Sequence, residues 1–165
     1  MKDNYSMSHY LGYIRKEESK AIQQMKIYAQ QHQVPIIKDD MASMMKVLIQ
    51  MAKPLRILEI GTAIGYSSLL MMQALDEVVD ITKVRMTTIE RDKTMVQKAS
   101  ENIKASSYAP LIHQIEGDAT QILEQLCQDE ELYDFIFMDA AKGQYLTFLP
   151  YAVKLLAHQG TLASD

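Results

Sequence analysis

Glu59-Ile60-Gly61-Thr62-Ala63-Ile64-Gly65 sets two glycines four residues apart, directly after an apolar run. Glycine permits a sharp turn and lets a ligand approach the backbone closely. The spacing is Gly-x-x-x-Gly. It lacks the Gly-x-Gly-x-x-Gly pattern that seats a dinucleotide pyrophosphate on a helix N-terminus, and it lacks the Gly-Lys-Ser/Thr of a phosphate-binding loop. The loop therefore favours a nucleoside ligand without phosphates and speaks against a nicotinamide dehydrogenase. Glu90 ends a second apolar run, where a carboxylate either accepts both hydroxyls of a ribose or is simply solvated. Gly117-Asp118-Ala119 and Asp139-Ala140-Ala141-Lys142 follow two more runs. A carboxylate at Asp139 suits a hard divalent cation, and a lysine beside such a charge can serve as a base. The same spacing suits a structural Asp139–Lys142 ion pair. Asp165 follows a last short run, as a partner of Asp139 on a shared metal or as an ordinary capping aspartate.

The elements that would position these residues alternate along the chain. Ile14, Ile22, Met25 and Ala29 recur at helical spacing, and Val34-Pro35 breaks that run. Asp40 is placed to cap a second helix carrying Met44, Met45, Leu48 and Ile49. A methionine stripe of this kind reads as core. Strands are predicted over 56–60, 86–90, 111–115 and 135–139. Helices are predicted over 66–75, 93–106, 119–127 and 144–156. Gly160 is expected to end the last helix, with a fifth strand over 161–164. Residues 76–85 are expected to form an extended surface loop. Apolar strands alternating with helices imply a parallel sheet covered on both faces, a doubly wound α/β fold. Residues 1–52 read as N-terminal helices on the acceptor side, and 53–165 as the α/β core. In such a sheet ligands bind outside the carboxyl ends of the strands. All the residues singled out above fall there, as do Gly61, Gly65, Gly117 and Gly143, four of the six glycines.

The chain has 165 residues, with 48% hydrophobic and 23% charged, which is ordinary for one globular domain. The net charge of −4 does not indicate a strongly basic nucleic-acid binder. Arg15, Lys16, Lys20 and Lys26 form a local basic cluster that reads first as a solvated helix face. No apolar run approaches the ~20 residues of a membrane span. The polar start, Met1 to Tyr10, is unlike a secretory leader. A single cysteine, Cys127, fits a reducing cytoplasm and reads as a buried thiol.

These motifs resemble the metal-dependent O-methyltransferases of the catechol and caffeoyl-CoA type. The similarity runs from about Tyr13 to Asp165. Within that group the chain is most similar to the bacterial tRNA 5-hydroxyuridine methyltransferases. The segments that carry the resemblance are Val34-Pro35-Ile36-Ile37, residues 56–67, Thr88-Ile89-Glu90-Arg91, Gly117-Asp118-Ala119 and residues 133–145. The resemblance implies an S-adenosylmethionine site lined by Ile37 and Ser67. The loop from Glu59 through Gly61, Thr62 and Gly65 would lie under its amino-acid part. Glu90 would hold the ribose, and Asp118 and Ala119 would meet the adenine. It implies Mg²⁺ held by Asp139 and Asp165, with Asp139 also near the sulfonium and Lys142 as general base. The implied acceptor is tRNA, with a small catechol-like molecule as the alternative, and the implied assembly is a homodimer. In the family an asparagine and two further strands follow the position of Asp165. The chain therefore reads as C-terminally truncated, and a catalytically inactive S-adenosylmethionine-binding fragment is a third reading.

Overall fold

The computed structural model describes residues 19–140 and 142–165, with Lys142 described in its backbone alone. Two helices come first, α1 (Lys20–His32) and α2 (Asp39–Ala52). Ser19 caps α1 through the amide of Ile22. Ile22, Met25 and Ala29 form its buried stripe. Ile14, Arg15 and Lys16 lie outside the described residues. The cap of α2 is Lys38 rather than Asp40. Asp40 sits in the first turn and accepts from the Met41 amide, so it complements the helix dipole without being the cap. The methionine stripe divides: Met45 and Ile49 are buried, whereas Met44 is half exposed.

Five parallel strands then alternate with helices: β1 (Arg56–Ile60), α3 (Tyr66–Asp76), β2 (Arg85–Glu90), α4 (Lys93–Lys104), β3 (Ile112–Glu116), α5 (Ala119–Gln128), β4 (Tyr133–Met138), α6 (Tyr145–Leu155) and β5 (Leu156–Ser164). The sheet order is β3-β2-β1-β4-β5. The chain winds outward from β1 through β3, then returns to the other side of β1. That reversal, between β1 and β4, is the topological switch point where ligands bind in open α/β sheets. Asp134 ties the opposite end, its Oδ2 accepting from the amides of Leu55 and Arg56 at 2.9 and 2.8 Å.

Side-chain alternation sorts the core into two layers. Ile57, Phe135 and Phe137 face a cluster with α1, α2, α3 and α4. Leu58, Ile60, Ile136 and Met138 face a second cluster with α5 and α6, into which Cys127 packs. Burial holds the Cys127 thiol above its ordinary pKa, as expected of a structural thiol. Both layers are apolar because helices cover both faces. Helix α3 is buried over nine of its eleven residues, since the sheet lies on one side and α1 and α2 on the other. Truncating a filled position such as Phe137 to alanine would cost about 3–5 kcal/mol.

Two boundaries differ from expectation. Leu111 belongs to a 3₁₀ turn, Ala109–Leu111, so β3 starts at Ile112. Gly160 does not end the last helix. Helix α6 stops at Leu155, and Gly160 lies inside β5 where the register against β4 jumps, from Tyr133↔Leu156 to Phe135↔Thr161. A Cβ at Gly160 would stand 2.9 Å from the Ala157 oxygen and 3.1 Å from the Asp134 oxygen, so the glycine serves a bulge. The 76–85 connection carries a 3₁₀ turn, Ile81–Lys83, capped by Asp80, and buries Val84.

Candidate functional site

A cleft of about 540 Å³ opens over the switch point, within the usual range for small-molecule sites. The loops after all five strands reach it, and Val34, Pro35 and Ile36 close one side.

The glycine loop forms the floor. The amides of Gly61 and Thr62 both donate to the Ile89 carbonyl, at 3.0 and 3.2 Å, which bends the chain sharply out of β1. Gly61 has φ +101°, and a Cβ there would fall 1.9 Å from the Asp139 carbonyl oxygen. Only a residue without a side chain allows the β1 and β4 ends to meet so closely. Gly65, at φ +79°, starts α3 against Ala99 of α4. Between them Ala63 holds a positive φ of 44° despite its side chain. Such strain persists only where the surroundings over-determine it.

Glu90 supplies part of that constraint. Its Oε2 accepts from the Ala63 amide, and its Oε1 from the amides of Arg91 and Asp92, each at 2.9 Å. A carboxylate has about four acceptor positions. Three backbone donors fix this one in place at the cleft wall and leave capacity for a ligand hydroxyl. Asp118 caps α5 by accepting from the Thr120 amide at 2.9 Å, and Asp118 and Ala119 both line the cleft.

Asp139 and Asp165 enter the same cleft from the ends of β4 and β5. The Asp139 amide donates to the Ile60 carbonyl at 2.9 Å, and the Asp165 amide to the Met138 carbonyl at 3.3 Å. Burial, with the charge of Asp165 added, pushes the Asp139 carboxyl up to about 6. Tyr145 lies beside them. Its hydroxyl donates to the Asp165 carbonyl, and burial followed by the charge of Asp139 raises its pKa. Among the described residues no third Asp, Glu, His or Cys joins this pair as a cluster. The Lys142 backbone opens a 3₁₀ turn, Lys142–Gln144, just beyond. The Lys142 side chain, expected as the base, lies outside what is described.

Four expected cofactor residues stand behind the wall. Ile37 is buried in the helical core, and its neighbours Val34, Pro35 and Ile36 line the cleft instead. Glu59 is fully buried on the α3 face of the sheet, with Thr62 and Ser67 beside it. Its carboxylate accepts from Ser67 at 2.5 Å, from Thr88 at 2.6 Å and from Ser68. Burial pushes Glu59 up to about 7; the three hydroxyls oppose this, and the charge of Asp139 adds to it. Thr88 and Ser68 were not anticipated. Their signal was a threonine between the buried apolar residues Met86 and Ile89 of one strand and a serine pair opening an apolar helix. Of the basic cluster, Lys26 is engaged with Asp39 at 2.7 Å, Lys20 is exposed, and Arg15 and Lys16 lie outside the described residues.

A family described as O-methyltransferase matches residues 8–165. The catechol O-methyltransferase of Niastella koreensis is 30% identical over 127 residues, covering 76% of this chain and 55% of that protein. The caffeoyl-CoA O-methyltransferase of Populus kitakamiensis is 30% identical over 128 residues, covering 76% of this chain and 52% of that one. The crystal structure of the O-methyltransferase TomG from Streptomyces achromogenes, involved in tomaymycin synthesis and in complex with S-adenosylmethionine, superposes with a TM-score of 0.82 at 25% identity. It covers 94% of this chain and 69% of that one. This chain spans between half and two thirds of the length of the curated relatives it matches.

Proposed function

The chain belongs to the O-methyltransferase family of the catechol and caffeoyl-CoA type, and on that premise we propose that it binds S-adenosylmethionine in the switch-point cleft and methylates an acceptor hydroxyl with the help of Mg²⁺. The observation that carries this is the contact of Gly61 with Asp139. It brings a backbone cradle for a ligand without phosphates to within one residue of a cation-seeking carboxylate.

The residues present fit both groups. The Gly61 cradle has no room for a Cβ, and the Glu90 carboxylate is pre-set by three amides. The pair Asp139 and Asp165 is a hard-oxygen donor set whose mutual repulsion a divalent cation would relieve. S-adenosylmethionine supplies a methyl group on a sulfonium; the acceptor oxygen forms the new C–O bond while the sulfur keeps the electron pair of the broken C–S bond. Mg²⁺ would lower the pKa of the acceptor hydroxyl and orient its oxygens.

The chain's own residues then divide the work. Glu90 holds the ribose, Asp118 and Ala119 meet the adenine, and Gly61 and Gly65 shape the loop under the amino-acid part. Glu59, Thr62 and Ser67 support that loop from the buried side, and Ile37 packs in the helical core. Asp139 and Asp165 hold the cation. Lys142 takes the acceptor proton on Nζ. Preorganising donor and acceptor in this way accounts for much of the acceleration in such transfers.

Two carboxylates on one cation favour an acceptor with two neighbouring oxygens. The segments around Gly61 and Asp139 support 5-hydroxyuridine of tRNA as that acceptor, read by the basic residues near the N-terminus. The catechol and caffeoyl-CoA relatives support a small catechol-like molecule as the second reading. Transfer of labelled methyl from S-adenosylmethionine, with and without Mg²⁺, to tRNA bearing 5-hydroxyuridine or to a catechol separates them. Label in the tRNA nucleoside that disappears with chelator supports the first reading; label in the catechol alone replaces it with the second. Calorimetric binding without transfer to either would leave the chain as an S-adenosylmethionine-binding unit and overturn the catalytic claim.

A further inference from the structure

Behind the cleft, four hydroxyls and one carboxylate form a closed polar cluster in an otherwise apolar layer. Glu59, Thr62, Ser68 and Thr88 are fully buried, and Ser67 nearly so. Three elements contribute: Glu59 from β1, Thr88 directly beside it in register on β2, and the serine pair from the first turn of α3. Thr62 is the contribution of the glycine loop. Its neighbours Gly61 and Ala63 face the cleft, while its own side chain points the other way, into the cluster.

Proton counting gives this cluster a direction. Thr88 Oγ1 carries one proton and stands 2.6 Å from both Glu59 Oε2 and Thr62 Oγ1. Above about pH 7 Glu59 is ionised, and an ionised carboxylate only accepts. The Thr88 proton therefore goes to Glu59, and Thr62 must donate to Thr88. The result is an ordered relay, Thr62 to Thr88 to Glu59, with Ser67 and Ser68 also donating to the carboxylate. If Glu59 were neutral, one of the surrounding hydroxyls would have to accept instead, and the order would be lost.

The loop needs such an anchor. Ala63 holds its positive φ between two fixed points, the Glu90 carboxylate on the cleft side and Thr62 on the buried side. Glu90 fixes the backbone amide of Ala63, and the Thr62 hydroxyl is the inward peg of the same turn.

We propose that Glu59 is a positioning residue of the cofactor loop, acting through Thr88 on Thr62 to hold the Gly61–Gly65 turn in the shape that accepts the methyl donor. This rests on the reading of the cleft as an S-adenosylmethionine site. Glu59 itself does not touch the ligand.

The test uses Thr88→Val, which keeps the shape of the side chain and removes the hydroxyl, and Thr88→Ser, which keeps the hydroxyl and removes the methyl group. Calorimetric titration of the chain with S-adenosylhomocysteine at about pH 8, where Glu59 is ionised, gives affinity, and urea unfolding at the same pH gives stability. Thr88→Val is expected to bind at least about tenfold more weakly, because it leaves the Thr62 donor buried and unpaired. Thr88→Ser is expected to restore binding to within about twofold at equal or lower stability, as a rescued donor should. Glu59→Gln is expected to follow Thr88→Val. If folded Thr88→Val binds as tightly as the unsubstituted chain, or if Thr88→Ser fails to rescue, the positioning role is wrong. If the unsubstituted chain binds neither S-adenosylhomocysteine nor S-adenosylmethionine, it is the reading of the cleft that fails.

Discussion

The backbone of Gly61 lies against the carbonyl oxygen of Asp139, so close that a Cβ would stand 1.9 Å from it. This contact joins two strand ends that are neighbours only because the winding direction reverses between β1 and β4. It also joins the two halves of the proposed chemistry, the cradle of the methyl donor and the first ligand of the cation.

Gly61→Ala should therefore damage both halves at once. The new methyl group must push the loop or Asp139 aside, and φ +101° is unfavourable for alanine. Overpacking of this kind costs about 1–3 kcal/mol. Titration with S-adenosylhomocysteine should show at least about tenfold weaker binding, with far-ultraviolet circular dichroism unchanged. Binding within about twofold of the unsubstituted chain would remove Gly61 from the site.

Glu90→Gln should weaken binding of the same ligand by about 1.5–3 kcal/mol, the range for a hydrogen bond to a charged group. The amide nitrogen of glutamine cannot accept from the backbone donors that hold Glu90, so the loop at Ala63 should also loosen. Faster hydrogen exchange at the Ala63 amide would report it.

Stability should fall with rising pH on account of Glu59. Its carboxyl stands at about 7 in the fold against 4.5 as the reference. A carboxyl with a raised pKa binds its proton more tightly when folded, so its contribution is fully present below about pH 4.5. That contribution is lost as the pH rises to about 7 and is constant above. The whole change is on the order of 3 kcal/mol. Urea unfolding at pH 5 and pH 8 should show a larger loss for the unsubstituted chain than for Glu59→Gln. Equal losses would mean that Glu59 does not titrate in this window.

Asp139→Asn should abolish the Mg²⁺-stimulated methyl transfer, and Asp165→Asn should raise the Mg²⁺ concentration needed. Each removes one of the two carboxylates that meet in the cleft. A metal titration of initial rates reads both effects. Unchanged metal requirements in the two variants would place the cation elsewhere.

Lys142→Met should lower turnover by about a hundredfold or more, as loss of a general base does. Affinity for S-adenosylhomocysteine should stay within about twofold, because the proposed role is at the acceptor proton. Loss of affinity together with turnover would assign Lys142 to ligand binding instead.

Most of the architecture was legible in the chain itself, because its signals are local. Apolar runs located β1, β2 and β4 to within two residues, and Asp92 and Asp118 cap the helices that follow β2 and β3. The glycine spacing at Gly61 and Gly65 and the acidic strand ends at Glu90 and Asp139 were visible for the same reason. Gly160 misled because a glycine after a helix and a glycine in a bulge look alike until β4 supplies the partner strand. Asp40 misled because an aspartate in the first turn and one at the cap are both favoured by the helix dipole.

What the residue order determined was the succession of strands and helices and which residues stand at the strand ends. What only the tertiary structure decided was which of them face the cleft. In a sheet covered on both sides, alternation says that Glu59 and Ile60 point in opposite directions but not which layer receives a ligand. Helix α3, clamped between the sheet and α1 and α2, closes over Glu59 and makes it a buried acceptor for Ser67, Ser68 and Thr88. The same packing draws Ile37 into the core and leaves Val34, Pro35 and Ile36 on the cleft. The close approach of Gly61 to Asp139, 78 positions apart in the sequence, follows from the switch in strand order, which no local pattern encodes.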